Sequence, residues 1–199
     1  MCRVAYGRLA GWQSDKGWTQ GGETYAGMVD VSRALVRARP TAVAQRDAVI
    51  AGLPRVPAWF RRAFPASRWG ARVNAAVTPS FFKWLVGPAS VIEVEVDAGP
   101  VNRSGVRIDK CRYLDEAGCA AMCVNLCQQP VQSFFTEQLG MPLTMTPDFG
   151  DGSCVMAFGK TPPPAADDPA RSTPCLAACS VASDGGKESP SRQCPSLRL

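Results

Sequence analysis

The stretch KCRYLDEAGCAAMCVNLC, residues 110–127, is the part of the sequence that decides the fold. Cys119, Cys123 and Cys127 follow one another at four-residue steps. On an α-helix, each of these side chains lies about 40° around from the last, so all three share one face. The spacing therefore predicts a helix that carries thiols along one face and runs up to Pro130.

The segments on either side of this helix have the two-residue period of β-strands. Valine and isoleucine alternate with Glu93 and Glu95 over residues 90–96, a turn follows at 97–100, and residues 101–108 return as a second strand. Residues 143–146 and 153–158 are predicted to form another pair around a turn rich in Gly, Asp and Pro. The thiol helix is thus expected between two β-hairpins.

The first half of the chain has a helical period instead. Tyr25, Met28 and Leu35 keep one face of a helix that Pro40 ends, and Thr41 is positioned to cap a second helix that reaches about Gly52. Further helices are predicted over residues 57–64, over 67–85 with a break near 78–79, and over 131–139.

These elements predict an α+β fold, in which a helical N-terminal half precedes two β-hairpins that flank a cysteine-bearing helix. Residues 1–23 are predicted to be a loop or a truncated beginning. One domain is expected over residues 24–180, made of a helical part (24–88), the hairpins with the thiol helix (89–160) and a Pro-rich segment with a cysteine pair (161–180). Residues 181–199 are predicted to be a disordered C-terminal tail.

Composition narrows the chemistry. The 199 residues include nine cysteines and no histidine. The absence of histidine excludes Ser-His and Cys-His catalysis and imidazole-ligated metal sites. The odd number of cysteines argues against a fully paired secreted scaffold and favours a reducing compartment with metal-binding thiols. Any metal ion is therefore expected to be held by sulfur or oxygen.

Charge is divided unevenly along the chain. Residues 1–110 carry sixteen Lys and Arg and eight acidic residues, whereas residues 111–199 carry six and nine. The arginines are dispersed, which disfavours a nucleic-acid partner. Trp59, Phe60, Phe64 and Trp69 alternate with them, as in helices that lie on anionic lipid. The competing interpretation, core aromatics beside surface arginines, is favoured.

The thiol spacing alone leaves two interpretations open. Four helical residues rise about 6 Å, whereas two sulfurs on one metal ion lie at most ~4.6 Å apart. Two thiols four residues apart can therefore share a metal ion, whereas Cys119 and Cys127, eight residues apart, cannot. An iron–sulfur cluster is wider than a single ion and accepts thiols at this spacing more easily. The alternative is that the thiols are small core hydrophobes. Cys111, Cys154, Cys175 and Cys179 are further ligand candidates, and Cys2 and Cys194 are given no role.

Two other groups are weaker candidates for a site. Tyr113, Asp115 and Glu116 precede the thiol face and are candidates for proton transfer, although acids at a helix start are common. Five aromatic residues are candidates for an apolar substrate pocket or, alternatively, for the core. They are Phe81, Phe82, Trp84, Phe134 and Phe135.

The stretches YAGMVDVSRAL, FFKWLVGP, KCRYLDEAGCAAMCVNLC, PLTMTP and SCVMAFG resemble the plant and algal Dwarf-twenty-seven-type β-carotene isomerases over about residues 24–180. The resemblance implies an iron-containing plastid enzyme of strigolactone biosynthesis that interconverts trans and cis carotenoids, typically giving 9-cis-β-carotene. The cysteines that match the family motif are the implied iron ligands: Cys111, Cys119, Cys123, Cys127, Cys154, Cys175 and Cys179. Of these, Cys119, Cys123, Cys127 and Cys154 are the predicted metal set. Residues 1–23 make a poor transit peptide, so the chloroplast location rests on the family.

This interpretation predicts two alternative chemical routes for the isomerisation, one alternative function and a contact with a membrane. An iron centre, with an iron–sulfur cluster as one form, would exchange an electron with the polyene. The competing route is protonation by Tyr113, Asp115 or Glu116. The alternative function is a non-catalytic plastid protein whose Cys-ligated iron or zinc stabilises the fold. Peripheral contact with a plastid membrane is also expected for a hydrophobic substrate.

Overall fold

The structure is a computed structural model that describes residues 2–16, 22–63, 66–97, 99–176, 179 and 194–199. The chain divides into two compact units, each assembled from segments distant in sequence. Unit 1 contains Met1–Leu53, Glu116–Pro130 and Pro169–Leu199, and unit 2 contains Pro54–Asp115 and Val131–Asp168. The α+β class is confirmed, but the divisions predicted within residues 24–180 do not coincide with these units.

Unit 1 is helical. Helices α1 (Cys2–Ala10), α2 (Gly22–Ala38) and α3 (Ala42–Gly52) pack together and against a π-helix, Met122–Gln128. The predicted face of α2 is confirmed, since Tyr25, Met28 and Leu35 are fully buried. Thr41 is the predicted N-cap of α3, because its hydroxyl accepts a hydrogen bond from the Ala44 amide at 3.1 Å.

Helix α1 corrects the prediction of a loop at the start of the chain. The segment has little periodicity, and contacts within unit 1 hold it instead. The buried guanidinium of Arg3 donates hydrogen bonds to the backbone oxygens of Ser14 at 2.9 Å and Lys16 at 2.6 Å. The Tyr6 hydroxyl donates to the backbone oxygen of Leu126 at 2.7 Å. Such long-range contacts leave no trace in local sequence pattern.

The thiol segment forms two helices separated by Gly118. Helix α6 (Arg112–Ala117) ends where Gly118 takes a positive φ of 59°. The backbone is then helical over residues 120–139, through the first π-helix, α7 (Gln129–Ser133) and a second π-helix, Phe134–Leu139. The predicted end at Pro130 is wrong. Pro130 has no N–H to donate within this helix, and the backbone oxygen of Leu126, about one turn before it, accepts a hydrogen bond from the Tyr6 hydroxyl.

Unit 2 is built on an antiparallel sheet in the order β1-β2-β4-β3. Its strands are β1 (Ala89–Val96), β2 (Gly99–Ile108), β3 (Leu143–Pro147) and β4 (Cys154–Phe158). Both predicted hairpins are confirmed, and the pairing of Val106 with Met156 joins them into one sheet.

Helices α4 (Ala58–Ala63) and α5 (Arg68–Val86) also belong to unit 2. Ala71, Ala75 and Thr78 are buried on the face of α5 that packs on β2. The break predicted near residues 78–79 is wrong, because α5 continues through Pro79. The Thr78 hydroxyl donates to the backbone oxygen of Asn74 at 2.7 Å in the turn before that proline.

The end of the chain is packed in unit 1. A 3₁₀-helix, Pro195–Leu197, buries Leu197 completely. The Asn125 side chain donates to the Ser196 backbone oxygen at 2.7 Å, and Arg171 donates to that of Leu197 at 3.2 Å. The predicted disordered tail therefore does not hold for residues 194–199, while residues 181–193 lie outside the described part. Across the described helices, none has the length and apolar character of a membrane span.

Candidate functional site

Four cysteine side chains interact with one another in unit 1. The thiols of Cys119 and Cys179 share a hydrogen bond, and the thiol of Cys175 shares hydrogen bonds with those of Cys194 and Cys179. Cys194 also acts electrostatically on Cys119 and helps to raise the pKa of the Cys119 thiol. We call Cys119, Cys175, Cys179 and Cys194 the thiol cluster. All four are free thiols in the structure.

Backbone contacts place each member of the cluster. Cys119 directly follows the turn at Gly118, and its carbonyl accepts from the Cys123 amide at 3.2 Å, which starts the helix. The Cys179 amide donates to the Leu176 oxygen at 2.9 Å. The Cys194 amide donates to the Thr173 oxygen at 3.0 Å, so the last segment lies beside the segment that carries Cys175.

Two thiols of the cluster, those of Cys119 and Cys175, have raised pKa values. The hydrogen bond with Cys179 is the largest cause that raises the pKa of Cys119, and burial adds to it. Burial, followed by the hydrogen bond with Cys194, raises the pKa of Cys175 to about 12. Both thiols are therefore neutral at physiological pH and make poor nucleophiles as they stand. Either would have to lose its proton before it bound a metal ion.

Cys194 is the member that sequence reasoning missed. Its position in a Ser- and Pro-rich stretch near the end of the chain does not indicate a role. Its burial depends on Leu197 and on contacts with residues far away in sequence. The hydrophobic Leu197 two residues before the end was the one local sign that this segment packs.

The remaining predicted ligands lie elsewhere. Cys123 is buried and Cys127 half-buried on the π-helix that follows Cys119. Cys111 and Cys154 are both buried in unit 2, where Cys154 pairs in register with Ile108 and Pro147. Burial, aided by the nearby Cys111, raises the pKa of Cys154 to about 12, and burial likewise raises the pKa of Cys111.

The four cysteines of the predicted metal set are divided between the two units. Cys119, Cys123 and Cys127 belong to unit 1 and Cys154 belongs to unit 2. Within the ranges that the structure describes, no three Cys, Asp or Glu side chains are gathered so that they could hold one ion. The thiols of the cluster interact with one another through the hydrogen bonds given above.

The three proton-transfer candidates differ in environment. Tyr113 is buried, whereas Asp115 and Glu116 are exposed. The carboxylate of Asp115 forms an ion pair with the ammonium group of Lys110 at 3.0 Å. The two acids therefore resemble ordinary surface residues of a helix, and only the phenol of Tyr113 is shielded from water.

The five predicted pocket aromatics divide into two groups within unit 2. Phe81, Phe82 and Trp84 are exposed on α5. Phe134 and Phe135 are half-buried on the second π-helix, and the ring of Phe135 packs edge-on against Phe158 with centroids 5.4 Å apart. Phe135 thus extends the core, while the α5 aromatics face solvent.

Unit 2 also contains a mainly apolar cavity of about 140 Å³ near Ala71, Val96 and Met141. None of the five predicted aromatics lines it. Its volume is below the roughly 300–1,000 Å³ of typical ligand pockets. A long polyene therefore does not fit this cavity as described. Unit 1 has a larger depression of about 520 Å³, but Asp30, Arg33 and Arg37 give it a charged lining.

Comparisons with known proteins match the middle of the chain. Residues 84–167 match the family described as Beta-carotene isomerase D27-like, C-terminal. The chain is 44% identical over 120 residues to a Medicago truncatula protein named "Beta-carotene isomerase D27, chloroplastic", covering 60% of this chain and 47% of that protein.

An Arabidopsis thaliana protein of the same name is 41% identical over 140 residues, covering 68% of this chain and 53% of that protein. The chain thus spans about half the length of these curated relatives. No solved structure matches it. The matched region contains Cys119, the helix that follows it and the sheet of unit 2, so residues 84–167 of this chain are similar to the C-terminal part of the D27-like β-carotene isomerase family.

Proposed function

We propose that this chain is a carotenoid cis/trans isomerase that converts all-trans-β-carotene to 9-cis-β-carotene. The observation that carries the proposal is the family match over residues 84–167, a region that includes five of the nine cysteines. The relatives that are 41–44% identical are named for this isomerase activity. Their names also include the word chloroplastic, and we assign this chain to the chloroplast on that basis.

Isomerisation requires that the bond order of one double bond fall before the polyene can rotate. When bound, iron would supply one-electron exchange with the conjugated chain. Within the described ranges no three Cys, Asp or Glu side chains are placed to hold one ion, so iron remains a prediction from the resemblance. Of the three groups predicted for the acid route, Tyr113 alone is shielded, as a proton donor to an apolar substrate needs to be.

The test is incubation of the full chain with all-trans-β-carotene in detergent micelles in the dark, followed by chromatographic separation of the isomers. We expect 9-cis-β-carotene to accumulate above the level in protein-free and heat-inactivated samples. A catalyst acts in both directions, so a reaction started from the 9-cis isomer should approach the same final ratio. If the isomer ratio in both reactions matches that of the controls, the proposed activity is wrong for this chain.

Metal analysis of the same preparation separates the alternatives. Full activity in protein that contains no iron would contradict the predicted iron cofactor. A protein that retains bound iron or zinc, unfolds when the metal is chelated and leaves β-carotene unchanged would instead be the non-catalytic metal protein.

A further inference from the structure

Helix α5 has an apolar face whose side chains are exposed to solvent. Phe81 is 79% exposed and Trp69 is 69% exposed, and three more apolar side chains on the helix are exposed beside them. At 100° per residue, these side chains lie within an arc of about 120°. We call this arc the α5 stripe, and it consists of Trp69, Val73, Val77, Phe81 and Trp84.

The α5 stripe lies on the side of the helix away from the sheet. The buried face, with Ala71, Ala75 and Thr78, is centred on the opposite side of the helical wheel. The stripe therefore contributes little to the packing of unit 2. With aromatic side chains of about 150–250 Å² each, it presents on the order of 500 Å² of apolar surface. The largest apolar patch of a typical monomer is of about this size and is often functional.

The charged residues that α5 itself carries beside the stripe are basic. Arg72 and Lys83 are exposed along one edge of it. Helices α4 and α5 together carry Arg61, Arg62, Arg68, Arg72 and Lys83 and contain no acidic residue. A second copy of the same surface would repel this charge, whereas an anionic lipid surface would complement it.

Aromatic, valine and basic residues on one helix suit the boundary between lipid head groups and acyl chains. Tryptophan and phenylalanine bury in that boundary, while arginine and lysine stay at the level of the phosphates. We propose that the α5 stripe docks this protein on an anionic membrane surface, with α5 lying in the plane of the interface. This inference is independent of the isomerase activity.

The experiment is co-sedimentation of the full chain with carotenoid-free vesicles of phosphatidylcholine, with or without 30% phosphatidylglycerol. We expect binding to the anionic vesicles and about tenfold weaker binding to the neutral ones. Binding should weaken further between 50 and 500 mM salt, since exposed charges are screened. Because no carotenoid is present, failure of the isomerase proposal would leave this result unaffected.

Two matched pairs of variants locate the surface. Phe81→Ser should weaken binding about tenfold, since one buried aromatic side chain is lost. Trp12→Ser, at an aromatic residue exposed in unit 1, should bind like the parent. Lys83→Glu should weaken binding at least fivefold through the loss of one favourable charge, whereas Lys160→Glu, at another exposed lysine of unit 2, should not.

Three results would overturn the proposal. The first is the absence of binding to anionic vesicles. The second is equal loss of binding in the Phe81 and Trp12 variants. The third is a dimer of the parent chain that Phe81→Ser dissociates, because the stripe would then be an interface between copies. Phe81 is exposed, so its variant is expected to stay folded, and circular dichroism spectra check this.

Discussion

Leu197→Ala tests whether the end of the chain is part of the folded unit that contains the thiol cluster. The Leu197 side chain is fully buried, and two hydrogen bonds from Asn125 and Arg171 hold the backbone around it. Replacing a buried leucine with alanine lowers the stability of the folded state by about 2–5 kcal/mol, and we expect about 3 kcal/mol for Leu197→Ala. Because the loss is local, it should loosen the segment around Cys194 first.

The assay is alkylation of Cys194 by a maleimide, followed by mass spectrometry of the peptides. A loss of about 3 kcal/mol in the local opening free energy raises the open population, and with it the labelling rate, about 100-fold. Leu199→Ala is the matched control, since Leu199 is 61% exposed and should change the rate little. Equal labelling of Cys194 in the parent and in both variants would refute the packed end of the chain.

Three further predictions concern other parts of the fold. Thr41→Ala removes the hydroxyl that caps α3 and should lower the free energy of unfolding by about 1 kcal/mol. Thr41→Ser keeps a hydroxyl and should change that free energy by only about a few tenths of a kcal/mol. Thermal denaturation of both variants measures the difference. Phe158 is fully buried against Phe135, so Phe158→Ala should lower the free energy of unfolding, measured by urea denaturation, by about 3–5 kcal/mol. Phe81 is exposed, so Phe81→Ala should change that free energy little. For Cys154, the folded pKa is about 12 and the ordinary value is 9.0, so above pH 9 the unfolded thiol ionises first and the free energy of unfolding falls as pH rises towards 12. Cys154→Ala should remove a contribution of up to about 1.4 kcal/mol per pH unit from this slope, while Cys111, Cys119 and Cys175, whose pKa values are also raised, keep theirs; equal slopes in the parent and the variant would contradict the raised pKa of Cys154.

Local sequence pattern predicted the elements whose stability is local or amphipathic. The buried face of α2, the Thr41 cap and both hairpins follow from periods and turn residues that the sequence displays directly. Two of the errors occurred at prolines. A break was expected near Pro79 and a helix end at Pro130, but both helices continue, and near Pro130 the hydroxyl of Tyr6, more than one hundred residues away, donates to the backbone oxygen of Leu126. No local pattern encodes that contact.

The sequence motif indicated a candidate site made of cysteines, but it did not indicate which cysteines the structure brings together. The motif pointed to cysteines, and Cys119, Cys175 and Cys179 do come together with one another. Cys194 joins them through long-range packing, and Cys154 belongs to the other unit. Linear spacing could not separate these cases, because it constrains only thiols on one helix.

The most direct test of the thiol cluster is controlled oxidation of the folded full chain with diamide, followed by mapping of disulfide-linked peptides. Diamide takes two hydrogens from two neighbouring thiols as their sulfurs bond, so it reports which thiols already lie together. The raised pKa values of Cys119 and Cys175 slow this reaction, and the structure predicts that the first disulfides these two cysteines form are Cys119–Cys179 and Cys175–Cys194. First disulfides that instead join these cysteines to Cys111 or Cys154, or the absence of any link to Cys194, would contradict the cluster.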